Sequence, residues 1–164
     1  MILVIECVVA CVIFTAIFVG GVLWNKEAFL HEYAPEVQKR FLESNPDFVL
    51  QEKGERTLGL ILAKIMMCIL FIVVLTGLIY LAGARNFGIG VLYTYIIWSV
   101  VNWYDVVVLD MGIFAHWKKV RLRGTEDMDA EYNSNTWHHV KGGFFGTVLG
   151  IPISLICGWI ISLI

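Results

Sequence analysis

The fold is decided by residues 58–115, which read LGLILAKIMMCILFIVVLTGLIYLAG, then ARNF, then GIGVLYTYIIWSVVNWYDVVVLDMGIFA. The two apolar runs, at 58–83 and 88–115, each exceed the ~18 apolar residues that cross the hydrocarbon core of a bilayer. The connection 84–87 is so short that the two predicted helices must form a tight antiparallel hairpin. The sequence therefore predicts a pair of transmembrane helices in the middle of the chain.

Two further apolar runs, at 2–24 and 140–164, bring the predicted number of membrane-spanning helices to four. The chain has 164 residues, of which 59% are hydrophobic and 16% charged, and its mean hydropathy of +0.76 lies outside the range of soluble domains. The first run carries Glu6 and no basic segment precedes it, so we interpret it as a retained helix and not as a signal peptide. We therefore predict a single all-α membrane domain over residues 1–164, a four-helix bundle in the lipid bilayer.

The distribution of Lys and Arg predicts which loops face the cytoplasm. Ten of the twelve basic residues lie in loop 25–57, in loop 116–139 or at Lys141, and the other two are Lys64 and Arg85. Because cytoplasmic flanks retain positive charge, we expect both loops inside the cell and both termini outside. The net charge of −2 and the pI of about 6.1 exclude nucleic acid as a partner.

The four cysteines, at positions 7, 11, 68 and 157, lie within apolar runs and form no C-x-x-C pair. Single buried cysteines usually act as small hydrophobic residues. A membrane thiol oxidoreductase is the alternative, but thiol exchange needs two exposed and closely spaced thiols, and only Cys7 and Cys11 lie one helical turn apart. We therefore expect no redox role for these side chains.

A short amphipathic helix is predicted in the first loop, where residues 35–43 read PEVQKRFLE. Proline is suited to the first helical position, and Val37, Phe41 and Leu42 form one apolar stripe. We expect this helix to lie on the cytoplasmic surface of the membrane, and docking to a partner is the alternative.

Ionisable side chains within lipid-spanning segments are costly and usually face the bundle interior, so they indicate where function is to be sought. They are Glu6, Lys64, Asp105 and Asp110. On an α-helix Asn102 lies near the face of Asp105, whereas Asp110 lies roughly 140° away, so the two acids are expected to point in different directions. We predict an intramembrane polar centre that consists of Lys64, Asn102, Asp105 and Asp110. It is either a functional site or a structural ion pair of Lys64 with an aspartate.

A second polar cluster is predicted on the cytoplasmic side, from His116, Glu126, His138 and His139. Imidazole and carboxylate groups are ligands for zinc and iron, but the sequence has neither an H-E-x-x-H motif nor a paired Glu-x-x-His spacing. We therefore predict no bound metal and no cofactor. Instead, we expect these histidines to hydrogen-bond to the backbone or to lipid headgroups.

The last predicted helix carries a row of small residues four apart, namely Gly142, Gly146, Gly150, Ser154 and Gly158. Small residues at this spacing let two helix backbones approach closely in a membrane. We expect the row to pack against another helix of the same chain, and contact with a second copy or a membrane protein partner is the alternative.

The C-terminal half contains, in order, the motifs Asp105-x4-Asp110, Gly124-Thr125-Glu126, His138/His139 and Gly142-Gly143. This pattern resembles a family of small bacterial four-helix integral membrane proteins, to which the region from Pro35 to Pro46 is also loosely similar. The family has no assigned activity, so the resemblance implies no catalytic roles. It implies a bacterial cytoplasmic membrane and a centre of acids and histidines.

For the function, the sequence favours a non-catalytic membrane protein, either an accessory subunit or a ligand- or lipid-binding protein built around the polar centre. The reason is that no complete catalytic constellation can be assembled from the chain. The alternative is a membrane-embedded enzyme for a lipid or lipid-soluble substrate, with Asp105 as general base and His138 or His139 as acid or metal ligand. A second alternative is an oligomeric proton or cation conduit built on the glycine row of the last helix.

Overall fold

In this computed structural model, residues 2–48, 57–134 and 136–164 are described, except for the side chains of residues 31, 32, 57–61, 63, 64, 67, 134 and 138. These ranges contain helices and the turns between them, and no strand occurs in them. The prediction of an all-α fold is confirmed.

The helices of the described residues are, in chain order, α1 (Ile2–Trp24), α2 (Pro35–Ser44), α3 (Thr57–Leu81), α4 (Phe87–Tyr104), α5 (Asp129–Ser134) and α6 (Thr136–Ile161). Helix α4 continues as a π-helix over Asp105–Phe114, and short 3-10 helices cover Lys26–Glu32 and Lys118–Val120. Because α6 begins before the predicted position 140, His138 and His139 belong to its first turn and not to a loop.

Three helices are long and apolar enough to cross a membrane, namely Ile2–Trp24, Phe87–Phe114 and His139–Ile161. In α3, the apolar stretch of described residues is shorter and covers Cys68–Leu81. Many large apolar side chains of these helices are exposed. Such surfaces need lipid or protein around them, so the exposure fits helices that lie in a membrane.

The chain divides into two compact units. The first contains Met1–Val9, Val49–Val100 and Thr147–Ile164, and the second contains Ala10–Phe48 and Val101–Gly146. The turn between α3 and α4 lies in the first unit. The described part of the first predicted loop up to Phe48, and the second predicted loop, lie in the second unit.

A glycine in the left-handed conformation closes the turn that joins α3 to α4. Gly83 has a φ of 95°, and its N–H donates to the carbonyl oxygen of Tyr80 over 3.0 Å. The N–H of Ala84 donates to the carbonyl oxygen of Ile79 over 2.9 Å, which completes a Schellman motif. Arg85 donates to the carbonyl oxygen of Tyr80 over 2.6 Å and places its guanidinium 3.9 Å from the centre of the Tyr80 ring. These contacts end α3 and lead the chain into α4.

In the first unit, α6 packs closely against α4 through its small residues. A Cβ atom at Gly158 would lie 2.9 Å from the carbonyl oxygen of Phe87, and a Cβ atom at Gly150 would overlap the ring of Trp98. Ser154, between these glycines, is buried and donates to the carbonyl oxygen of Gly150 over 2.6 Å. These small residues therefore pack within the chain, as close helix contacts in a membrane require.

In the second unit, α6 also packs against α4 and its π-helical continuation. One of the two contacting glycines, Gly143, does not belong to the predicted row of small residues. A Cβ atom at Gly146 would overlap the side-chain oxygen of Asn102, and one at Gly143 would lie 2.9 Å from the side chain of Val106. Gly142 is exposed, and a Cβ atom there would have no described neighbour within 4 Å. Residues four apart drift by about 40° per step around an α-helix, so the end of the predicted row leaves the packed face. Gly143, and not Gly142, lies on that face.

The contrast between these glycines gives a test with an internal control. Gly146→Leu places a branched side chain against Asn102 and should lower the free energy of unfolding in detergent by about 1–3 kcal/mol, or prevent folding. Gly142→Leu adds the same side chain at an open position and should change that free energy by less than about 0.5 kcal/mol. Thermal unfolding of both variants measures the difference. Equal effects at the two positions would contradict this packing.

The apolar stripe of α2 is covered by protein. Val37 and Phe41 are fully buried and form a core with Leu122 from the second loop. The ring of Phe48 packs edge-on against that of Phe41, with ring centres 5.0 Å apart. The expectation that this stripe rests on the membrane surface is therefore wrong, because the two loops fold onto each other and bury it.

The Gly124-Thr125-Glu126 motif shapes the second loop. Gly124 has a φ of 82°, and a Cβ atom there would lie 2.8 Å from the Cβ atom of Ser44, so glycine is required on both counts. The buried hydroxyl of Thr125 donates to the carbonyl oxygen of Leu122 over 2.9 Å. The carboxylate of Glu126 accepts a hydrogen bond of 2.9 Å from the N–H of Gly124. The motif therefore has a structural role in this loop.

Arg121 attaches the same loop to α5. Its buried side chain forms an ion pair with Asp129 and donates to the carbonyl oxygen of Glu126 over 2.7 Å. The guanidinium also lies 5.0 Å from the centre of the Tyr132 ring. A buried guanidinium with a carboxylate, a carbonyl and a ring as partners tolerates few arrangements of the chain around it. It therefore holds α5, with Glu131 and Tyr132, in place.

Candidate functional site

The π-helix over Asp105–Phe114 changes which side chains share a face. In a π-helix, the N–H of a residue bonds to the carbonyl oxygen five residues earlier, as Ala115 does with Asp110 at the end of this segment. Residues five apart therefore lie within roughly 50° of each other around the axis, against roughly 140° in an α-helix, and both Asp105 and Asp110 line the same cavity. The expectation that these acids point in different directions is wrong, because it assumed α-helical geometry throughout.

His139, near the start of α6, contacts the second of these acids. Its Nδ1 lies 2.8 Å from Oδ2 of Asp110, and the two side chains are only 21% and 18% exposed. A carboxylate accepts a hydrogen bond from Nδ1–H, and the neutral ring then carries its lone pair on Nε2. A histidine predicted in the cytoplasmic cluster and an aspartate predicted in the membrane thus belong to one site.

The two aspartates and His139 line a cavity of about 290 Å³ in the second unit. Other side chains of its lining come from α1, from the residues that follow it, from the π-helix and from α5. They include the rings of Phe18, Phe29, Tyr33, Phe114 and Tyr132 and the carboxylate of Glu131. The volume lies just below the ~300–1,000 Å³ range of ligand pockets, so the cavity suits a small molecule or a lipid headgroup.

Aromatic contacts hold the rings of this cavity in fixed orientations. Phe18 meets Phe29 edge to face, with ring centres 5.7 Å apart, and meets Phe114 at an inclined angle, with ring centres 5.2 Å apart. Tyr33 and Tyr132 also meet edge to face, at 5.9 Å. Inclined and edge-to-face pairs are the favoured geometries of aromatic rings, so these walls are stable without a ligand.

The two tyrosines contribute ring surface and not charge. The hydroxyl of Tyr33 donates to the carbonyl oxygen of Val120 over 2.8 Å, and the hydroxyl of Tyr132 lies 2.8 Å from that of Thr125. Burial raises the pKa of Tyr33 far above its ordinary value, and burial also raises the pKa of Tyr132. Both groups therefore stay neutral at physiological pH.

Three other predicted site residues have local structural contacts. Asn102 donates to the carbonyl oxygen of Gly143 over 2.9 Å and so joins α4 to α6. His116 is exposed, and its Nδ1 lies 3.0 Å from the carbonyl oxygen of Gly112, one turn earlier. Glu126 is exposed and binds the loop backbone. Of the predicted cytoplasmic cluster, His139 is the described side chain that lines the cavity.

The side chains of Lys64 and His138 lie outside the described residues, so the Lys64 ion pair and a role for His138 stay predictions. In the described part of the chain, no three His, Cys, Asp or Glu side chains lie close enough together to hold a metal ion.

Glu131 and the aromatic walls were not predicted from the sequence. Glu131 lies in a six-residue helix whose position depends on the contacts of the buried Arg121, which no periodicity in the sequence indicates. Phe18 and Phe114 lie in helices that are apolar on every side, so no periodicity separates a ring that lines a cavity from a ring that faces lipid. The sequence does indicate Asp105, Asp110 and His139, but α-helical geometry puts the two acids on different faces and the histidine in a separate cluster.

Comparison of the chain with models of protein families, with curated proteins and with solved structures finds no match. The resemblance to a family of small bacterial membrane proteins therefore stays a prediction. The function has to be inferred from the cavity and its side chains.

A double-mutant cycle measures the contact between Asp110 and His139. Asp110→Asn and His139→Gln each disturb a partly buried partner, and each should lower the free energy of unfolding by about 1–3 kcal/mol. The double variant should lose less than the sum, with a coupling energy of about 1 kcal/mol.

The exposed pair of Lys39 and Glu43, whose charged atoms lie 4.0 Å apart, serves as the control for this cycle. Lys39→Met and Glu43→Gln should show a coupling energy below about 0.5 kcal/mol, because water screens both charges. Strictly additive effects at Asp110 and His139 would mean that these two side chains do not interact.

Proposed function

We propose that this chain is a membrane-embedded binding protein whose cavity holds a small amphiphilic ligand or a lipid headgroup. Asp110 lies four residues before the end of the candidate span Phe87–Phe114, and His139 is the first residue of the span His139–Ile161. A cavity at the ends of two spans lies at the depth where lipid headgroups meet water. Such a protein can act alone or as an accessory subunit beside a membrane protein partner.

The composition of the cavity lining is the observation that carries this proposal. Ring surfaces with a few convergent polar groups are typical of small-ligand sites. Among the described residues, no serine, threonine or cysteine lines the cavity, so the lining offers no side chain of the kind that histidine most often activates as a nucleophile. The lining therefore supports binding over catalysis through an acyl-enzyme of that kind.

We also propose that the chain has four membrane-spanning helices and lies in a bacterial cytoplasmic membrane. Helix α3 has 25 residues, which is enough to cross a bilayer, and would be the fourth span. The positions of Lys and Arg support cytoplasmic loops and outer termini, and the family resemblance supports the bacterial membrane. Single cysteines at Lys39 and Arg85, labelled in intact cells with an impermeant maleimide, test this orientation. We expect labelling at Arg85 and not at Lys39, and labelling at Lys39 alone would show the opposite orientation.

An enzyme that acts on a lipid-soluble substrate is the second candidate, and the Asp110–His139 contact favours it. A carboxylate that orients an imidazole is a common arrangement in general acid–base catalysis. In such an enzyme, Asp105 would act as the general base and His139 as the acid. Both groups line the one cavity, so the substrate would occupy the same space as the proposed ligand.

The third candidate, an oligomeric conduit, loses its main support. It depended on a free row of small residues on the last helix. Gly146 instead packs against Asn102, and Gly150 packs against Trp98, so this face is occupied within the chain.

Filling the cavity tests the binding proposal. Ala115 is buried and lines the cavity, so Ala115→Leu occupies part of its volume, whereas Ala130→Leu makes the same change at an exposed position of α5. Native mass spectrometry of gently extracted protein should find a small ligand on the wild type and on Ala130→Leu, and little or none on Ala115→Leu.

The same experiment separates the two candidates. A ligand that is recovered chemically unchanged after incubation supports binding, and a product that forms only when His139 is intact supports the enzyme. Absence of any ligand from the wild type, or equal retention by Ala115→Leu in a folded state, would contradict the binding proposal.

A further inference from the structure

A second cavity in the second unit lies between the end of α1 and the second loop. Its volume is about 420 Å³, and its described lining shares no residue with the cavity of Asp105 and Asp110. The lining residues come from positions 23–27 and from positions 121–126. The ligand site proposed above does not use this space.

Two hydrogen bonds fix the backbone around this second cavity. Nζ of Lys26 donates to the carbonyl oxygen of Arg121 over 3.2 Å, which joins the end of α1 to the second loop. The side-chain amide of Asn45 donates to the carbonyl oxygen of Arg123 over 3.1 Å. An ammonium group has three N–H donors, so this contact uses one donor of Lys26 and leaves two for a ligand. The cavity therefore has a defined shape and a positioned cation.

The side of the cavity next to α1 is apolar. Leu23 and Trp24 end the candidate span Ile2–Trp24, line the cavity and are exposed, Trp24 to 91%. In the proposed topology α1 crosses the bilayer, so both side chains lie at the depth of the lipid headgroups, where tryptophan is enriched. Lys26 follows two residues later. Apolar surface beside a cation at this depth matches the phosphate end of a lipid, whose acyl chains extend into the hydrocarbon region.

Four basic side chains lie in the lining or directly before its loop residues. Lys26 and Arg123 belong to the lining. Lys118 and Lys119 are exposed and belong to the 3-10 helix that precedes the loop residues of the cavity. Groups of four or more Lys and Arg beside a membrane-spanning helix bind anionic lipids, because the negative membrane surface attracts each of them.

Acidic side chains offset this charge only in part. The described lining contains two carboxylates, those of Glu27 and Glu126, and the second accepts a hydrogen bond from the N–H of Gly124. Arg121 also lines the cavity, but it is paired with Asp129. With this pair set aside, four basic side chains against two acidic ones leave an excess of positive charge. Such an excess favours an anionic ligand over a neutral or zwitterionic one.

We infer that this cavity binds the phosphate group of an anionic membrane lipid and that Lys26 and Arg123 contact the phosphate. A guanidinium group binds phosphate through two parallel N–H donors, and an ammonium group adds a compact charge. The inference rests on the proposed crossing of the membrane by α1. It does not depend on a ligand in the cavity of Asp105 and Asp110.

Other occupants fit this cavity less well. Free inorganic phosphate would leave the apolar side chains of Leu23 and Trp24 exposed. A zwitterionic lipid would bring an ammonium group into a region of excess positive charge. An apolar helix of a protein partner would take Lys26 and Arg123 out of water without supplying a charge, which is costly.

The retention of lipids by the full-length protein tests the inference. The protein is incorporated into nanodiscs that contain equal amounts of dioleoyl phosphatidylglycerol and dioleoyl phosphatidylcholine, which have the same acyl chains. Native mass spectrometry then counts the bound lipids. The wild type should retain phosphatidylglycerol at least about fivefold over phosphatidylcholine. This comparison needs no variant, so a folding defect cannot affect it.

Two exposed arginines provide a matched pair of variants. Arg123→Gln removes a cation from the cavity and should reduce the preference for phosphatidylglycerol about three- to tenfold, whereas Arg123→Lys keeps the charge and should retain most of it. Arg40→Gln makes the same change on α2, outside the lining, and should alter the preference by less than about twofold.

Three outcomes would overturn the inference. Equal retention of the two lipids by the wild type would show that the cavity is not an anion site. Equal losses in Arg40→Gln and Arg123→Gln would show that the overall charge of the loops attracts the lipid. Loss of the preference in Ala115→Leu, which fills the other cavity, would assign the lipid to that cavity instead.

These failures are distinguishable from a failure of the proposed function. If the wild type shows no lipid preference but loses a small ligand in Ala115→Leu, the binding function stands without this second site. If the protein does not enter nanodiscs at all, the membrane embedding on which both proposals rest is contradicted.

Discussion

A carboxylate within the hydrocarbon region of a membrane has to be protonated, paired or hydrogen-bonded, because a bare ion there is very costly. Helix α4 and its continuation carry two carboxylates, Asp105 and Asp110, inside the candidate span Phe87–Phe114, so this constraint would apply to both if the span crosses a membrane. The π-helical segment turns both toward one cavity, where His139 contacts Asp110. Segments of this type are rare and occur frequently at functional sites. We therefore regard the register of this segment as the feature on which the site depends.

The loops of the second unit supply the part of the cavity lining that the helices do not. Tyr33 and Tyr132 come from two different loop regions and meet edge to face in its lining. Val37 and Phe41 are buried against Leu122, so these loops have a hydrophobic core of their own. The buried Arg121 also restricts the conformation of the second loop, because its guanidinium pairs with Asp129. In this site, Asp105 and Asp110 therefore lie on a helix, and the rings of Tyr33 and Tyr132 come from the folded loop regions.

Properties of single segments of the sequence predict the helices, but they predict few of the contacts in the site. The lengths of the apolar runs predicted α1 and the paired helices α3 and α4, because the ability to cross a bilayer depends on the composition of one continuous stretch. The choice between an α-helix and a π-helix at Asp105–Phe114 depends on packing around the helix, which no spacing of side chains encodes. For the same reason, the sequence indicated Asp105 and Asp110 as polar groups but placed them on different faces.

Contacts between distant segments account for the other differences. The stripe of α2 has the pattern of a membrane-surface helix, and only the approach of Leu122, about eighty residues later, shows that protein covers it. Gly143, and not Gly142, meets the side chain of Val106, which belongs to a different helix. Glu131 enters the site through a short helix held by Arg121. Each of these outcomes depends on a pairing that periodicity within one segment cannot reveal.

The register of the π-helix can be measured directly by thiol accessibility. Single cysteines replace each residue from 104 to 112 in a background without native cysteines, and the rate of modification by a water-soluble quaternary-ammonium methanethiosulfonate is recorded in nanodiscs. The π-helical register predicts fast modification at positions 105 and 110, five residues apart. It predicts slow modification at Val106 and Leu109, which are buried, and at Val107 and Val108, whose exposed apolar side chains would face lipid. Fast modification at 105 together with 108 or 109, and none at 110, would indicate an α-helix and contradict a shared cavity for the two acids.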